Sequence, residues 1–177
     1  YVVGAYCSAK SVAAVSTGTQ VTQIITSLIT GLTLGSTILI GQYSGSRDYK
    51  RVKEAIGTTL TVFAGVALIL TVLMLLLKRP LLALLDTPAE SFELTAKYVA
   101  ICCAGTIFIC GYNAISAILR GCGDSVRPML FVGVACIVNI VLDIVFVKYC
   151  NMGVGGTAAA TVLSQAVSMT AAVVYLK

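Results

Sequence analysis

The chain has 177 residues, of which 58% are hydrophobic and only 11% charged, with a formal net charge of +5. Soluble globular domains carry about 25% charged residues, so this composition excludes one and points to an all-α polytopic membrane protein. The apolar runs are also too long and continuous for a membrane β-barrel, whose strands alternate over about ten residues.

The basic residues are few and lie at the ends of apolar runs. Orientation in a lipid bilayer explains them better than a phosphate-binding surface, so the bilayer is the expected partner and nucleic acid is not. Histidine is absent, which removes imidazole chemistry and most transition-metal sites; neither a cofactor nor a resident metal is expected. Of the seven cysteines, Cys102, Cys103, Cys110, Cys122 and Cys136 fall in or beside apolar runs with no CxxC pair. They read as small apolar fillers rather than a disulfide framework. With no convincing nucleophile–base pair, an enzyme is not expected.

Residues 1–12 read as the tail of one helix and a short loop. The chain opens on Tyr1 and closes on Lys177 as an apolar run ends, so both ends read as cuts through a longer protein. The first full span runs from about Ala13 to Gly41 and is polar for a membrane helix. Gln20, Gln23, Thr26 or Ser27, Thr30, Thr33 and Thr37 recur at three- and four-residue spacing. Such a stripe either faces a water-filled cavity or bridges packed helices by hydrogen bonds. Arg47, Lys50, Arg51 and Lys53 then place a solvated loop on the cytoplasmic side.

A second span covers about Ala55 to Leu77, closed by Lys78, Arg79 and Pro80, with a short interfacial amphipathic segment after it. Thr87-Pro88-Ala89-Glu90 carries a helix-start signature. The third span, about Phe92 to Leu119, contains Tyr98, Tyr112 and Asn113 and ends at Arg120. The turn RGCGDSVRP follows, rich in residues that break or cap helices. A fourth span runs from Pro128 to Lys148, and a fifth from about Thr157 to Leu176, where Gly156 and Ala160 suit close helix packing.

The fourth span holds the most informative pair. Asn139 and Asp143 are four residues apart, hence on one helical face. A carboxylate at membrane depth costs several kcal/mol on insertion scales, so such residues are rare and face a cavity or a partner. Hydrocarbon favours the neutral acid, whereas a bound sodium ion or nearby donors favour the carboxylate. A group balanced between the two can take up a cation from one side and release it elsewhere, with Asn139 as a carbonyl ligand or hydrogen-bond partner. The plainer reading is that Asp143 pairs with Lys148 or caps neighbouring backbone. Lys148, five residues on, is poorly placed for a helical i, i+4 contact.

Several stretches in order resemble the multidrug and toxic compound extrusion (MATE) transporters. SVAAVSTGTQ with GLTLGSTILIGQYSGSRDYKRVK is similar to that family's second helix and basic inner loop. AILRGCGDSVRPM resembles its LRGxGDxxxP signature, NIVLDIVF its fifth helix, and MGVGGTAAATVLSQ the start of its sixth. The resemblance implies that residues 1–177 form a partial N-terminal lobe, from the end of the first helix through the sixth. These about five spans would be most of one six-helix lobe of a twelve-helix transporter, with the C-terminal lobe absent as a partner.

It further implies a multi-pass protein of the cell membrane, on the pattern of a bacterial inner-membrane antiporter. Such a protein exports organic, often cationic, drugs and xenobiotics against proton or sodium entry. On that mapping Asp143 and Asn139 match the coupling pair, with a transient sodium ion at Asp143. Thr161 matches a sixth-helix threonine and Tyr98 a fourth-helix tyrosine, while Gln20, Gln23 and Asn113 are candidates to line the cavity. The family's first-helix aspartate has no counterpart in this sequence. The alternatives are a lipid-linked oligosaccharide flippase of the same superfamily, which would need basic side chains for pyrophosphate, and a non-transporting membrane subunit.

Overall fold

The structure, a computed structural model, describes residues 9–84, 89–150 and 152–176. All regular elements among them are helical: α1 (Ala9–Gly45), α2 (Tyr49–Leu84), α3 (Ala89–Ala104), α4 (Thr106–Gly121), α5 (Val126–Asp143), a π-helical continuation (Ile144–Tyr149) and α6 (Gly153–Leu176). Four single helices are long and apolar enough to cross a membrane, and α3 with α4 forms a fifth, bent span. The fold class and the number of spans agree with the sequence.

At 1.5 Å per residue, α1 and α2 are each about 55 Å long, well beyond the roughly 30 Å of hydrocarbon. The basic first turns of α2 therefore stand outside the apolar layer. The apolar span ends at Leu77, where the sequence placed its close at Lys78-Arg79-Pro80, but the helix itself continues through Pro80 to Leu84. The missing N–H of Pro80 costs the carbonyl of Leu76 its donor. This happens where the apolar run ends at Leu77, so water can replace the lost donor. The expected cap at Thr87 and Pro88 lies outside the described residues.

The third span is not one straight helix. It breaks at Gly105 with a bend of 42°. Val162 of α6 occupies the space where a Cβ on residue 105 would sit, so the absence of a side chain lets α6 press against the kink. Backbone bonding continues through the bend, with Gly105 N–H donating to Ile101 (3.1 Å) and Phe108 N–H to Gly105 (3.0 Å).

The turn between α4 and α5 follows its composition. Gly123 has φ +94°, a region that favours glycine. Asp124 accepts from the Arg127 backbone N–H (3.3 Å) and from Arg127 Nη1 (2.9 Å), which satisfies an orphan donor at the start of α5. The Arg127 guanidinium also stacks on Tyr175, 4.2 Å from the ring centre.

Helix α1 packs mainly on α3 and α4, α6 lies against α3, α4 and α5, and α5 rests chiefly on α6. The main core joins Val21, Ile25 and Ile29 of α1, Phe63 of α2, and Val99, Cys102 and Cys103 of α3. The described cysteines are free thiols; Cys102, Cys103 and Cys110 are buried and fill space, while Cys122, Cys136 and Cys150 are exposed. Only Pro128 and Ala135 of α5 are buried, so most of that helix faces outward or into a cavity.

Candidate functional site

The polar side chains of α1 are largely satisfied by their own helix. Thr19, Thr22, Thr26, Ser27, Thr30, Thr33 and Thr37 each donate to the carbonyl four residues back, at 2.7–3.0 Å. Across helices, Thr33 Oγ1 stands 3.4 Å from Asn113 Oδ1, and Thr19 and Thr22 hydrogen-bond to Tyr98 and Cys102 of α3, respectively. Asn113 Nδ2 donates in turn to the Ile109 carbonyl (2.8 Å). The hydroxyl stripe is thus mostly self-capped, and one face of it opens inward.

That face contributes Thr22 and Thr26 to a cavity of about 340 Å³ within the bundle. Helix α4 adds Tyr112 and Asn113, α5 adds Cys136 and Asn139, and α6 adds Thr161, Ser164, Gln165 and Ser168. The walls offer neutral hydroxyl and amide groups, with no Lys, Arg, Asp or Glu among the lining residues. A surface of this kind can hydrate or hold a polar group without imposing charge of its own.

The structure brings Asn139, Thr161 and Asn113 together around this space. Tyr98, almost fully buried on α3, approaches from behind: its ring covers Gly18, where a Cβ would collide with it. Its hydroxyl is turned to Thr19, Cys102 and Thr161, so Thr161 sits between Tyr98 and the cavity. Gln20 and Gln23 are exposed on α1 and are not among the residues lining this cavity. Sequence spacing placed them with the stripe; the backbone rotation turns Thr22 and Thr26 inward instead.

Asp143 lies one turn, about 6 Å, along α5 from Asn139 and is half-buried. Its Oδ1 is buried, with no hydrogen-bond partner among the described residues. Buried carboxylate oxygens are nearly always bonded, so an orphan of this kind needs a reason. Asp143 is also the last α-helical residue before the π-helical turn Ile144–Tyr149. A π segment adds a residue to the turn and often accompanies functional positions. Phe146 and Met152 crowd Gly156 of α6 there, since a Cβ on residue 156 would stand 3.0 Å from the Cβ of each. Nothing in the periodicity of IVLDIVFVKY signals this change of pitch.

Sequence reasoning missed Thr22, Ser164, Gln165 and Ser168 as cavity residues. The hydroxyls of α6 at 157, 161, 164 and 168 repeat at three- and four-residue spacing, and that stripe was the available signal.

The MatE family profile matches residues 1–145. The probable multidrug resistance protein YpnP of Bacillus subtilis is 30% identical over 174 residues, covering 98% of this chain and 39% of YpnP. Among solved structures, the outward-facing conformation of a multidrug resistance MATE family transporter of the MOP superfamily superposes with a TM-score of 0.93. It is 30% identical, over 99% of this chain and 39% of that one. The inward-facing conformation of a MATE family transporter gives 0.91 at 31% identity, over 95% and 38%. The chain therefore spans about two fifths of the length of these relatives. A family match over residues 1–145, on a helical bundle with up to five candidate membrane spans, places this multi-pass cell-membrane chain in the MATE family.

Proposed function

We propose that the chain forms most of the N-terminal lobe of a proton- or sodium-coupled antiporter that exports organic, mainly cationic, compounds. Asp143 takes the coupling cation, Asn139 supplies a neutral oxygen or a hydrogen bond beside it, and Thr161 and Tyr98 complete the polar surroundings. The exported compound occupies the cavity below, so that it and the cation disfavour each other's presence. A second, C-terminal lobe closes the translocation path.

The observation that carries this reading is the orphaned Asp143 Oδ1, one turn from a cavity-lining asparagine. A buried acceptor without a donor costs about 1–3 kcal/mol, more when charged, and a proton or a cation removes that cost. Relatives described as probable multidrug resistance proteins support drug-like compounds as the cargo. The fit to both an outward-facing and an inward-facing structure supports a lobe that moves as one body. A pyrophosphate-carrying flippase would want basic groups in the cavity, and its walls hold none.

The test is efflux driven by a proton or sodium gradient in proteoliposomes of the full-length protein, with Asp143→Asn. Loss of gradient-driven export, with drug binding retained, is the expected result. Unimpaired coupled export by the variant would end the assignment.

A further inference from the structure

We propose that the membrane-facing groove between α2 and α4, headed by Lys50 and Lys53, seats one anionic phospholipid. The groove encloses about 230 Å³ and is lined almost entirely by apolar side chains. Small residues form its bed: Ala64 and Ala67 from α2, Gly111 and Ala114 from α4. Met169 of α6 closes it from beneath, in a space that a Cβ on Gly111 would enter at 2.7 Å from the sulfur. Its rim residues Leu60, Leu68 and Ile107 are 45%, 62% and 48% exposed, so an apolar chain can reach the bed between them.

The groove continues to a charged head. Residues 50, 53, 57, 60, 64 and 67 follow three- and four-residue spacing and share one face of α2. Lys53 lies about 10 Å along the axis from Leu60 and about 22 Å from Leu68, a span close to one extended acyl chain. Between head and groove, Gly57 has nothing within 4 Å of where a Cβ would stand, which leaves a bare lane along the helix.

The charge at the head is uncompensated. Asp48 is engaged by Arg51 at 3.3 Å, and Glu54 lines a separate depression towards α1 with Tyr43 and Arg51. Lys50 and Lys53 are exposed, and among the described residues neither has an ion-pair partner. Basic residues just outside a membrane span attract anionic headgroups. The apolar lane beneath supplies what a free phosphate could not use, so the occupant is a lipid with one chain laid in the groove.

Native mass spectrometry of the full-length protein, titrated with phosphatidylglycerol or phosphatidylcholine in detergent, tests this. The wild type should retain one phosphatidylglycerol in preference to phosphatidylcholine. Lys50→Gln with Lys53→Gln should weaken that binding about 25-fold, at roughly fivefold per lysine. The Lys→Arg pair should keep it, and Gly57→Leu should weaken it without changing charge. Equal retention of the two lipids by the wild type, undiminished retention by the glutamine pair, or occupation of the groove by a second copy of the chain would overturn the proposal.

Discussion

The two ends of α5, the N-terminal one inner and the C-terminal one outer in the topology expected from the charge pattern, are held in opposite ways. At the inner end, Tyr112 donates from α4 to the Pro128 carbonyl at 2.7 Å, Ser168 donates from α6 to the Phe131 carbonyl at 3.2 Å, and Asp124 caps the first turn. At the outer end the helix changes pitch, and Asp143 keeps a buried oxygen with no donor. The inner end uses its polar groups to fix the helix. The outer end leaves one unmatched, and on the proposed reading this unmet polar demand at membrane depth belongs to a site rather than a strut.

This contrast can be broken from either side. The largest effect expected is from Asp143→Leu, which should abolish gradient-driven export while raising stability by about 1–2 kcal/mol. Removing a buried polar group that has no partner relieves its desolvation cost, and thermal unfolding beside an efflux assay would read both changes. Lower stability together with retained export would make Asp143 a strut after all.

Gly18→Val tests the support behind the site. Its side chain would enter the Tyr98 ring and should cost about 1–3 kcal/mol through overpacking, displacing the tyrosine from Thr161. The checks are a lower melting temperature and weakened export together. At the inner end, Tyr112→Phe should cost about 1 kcal/mol, the size of one buried hydrogen bond, and leave the number of coupling ions unchanged. Ser168→Ala should cost about 0.6 kcal/mol, near the average for interhelical bonds in membranes. Both side chains also line the cavity, so export lost in either variant at unchanged stability and unchanged drug binding would show that this end takes part in coupling.

The sequence carried the number of spans, the Asn139–Asp143 face and the resemblance to the family, because a hydropathy run and a four-residue spacing are local properties. It did not carry the bend at Gly105, which depends on Val162 arriving from 57 positions away. Nor did it show that α2 would run through Pro80, since Pro ends a helix only where its lost bond cannot be replaced. The cavity was half legible. Asn113, Asn139 and Thr161 line one cavity, and α1 contributes Thr22 and Thr26 to it rather than Gln20 and Gln23. Gln20 and Thr22 stand about 160° apart around α1, and the packing of α1 against α4 and α6 selects the threonine side. The π turn after Asp143 had no signature in the residues themselves.

The most direct test of the outer end as the coupling position is a count of ions exchanged when the exported compound binds. Calorimetric titration of the full-length protein in buffers of different ionisation enthalpy, at low and high sodium, gives that number. Linkage requires release of about one proton or sodium ion per bound molecule in the wild type and none in Asp143→Asn. The same count in both proteins would contradict the account.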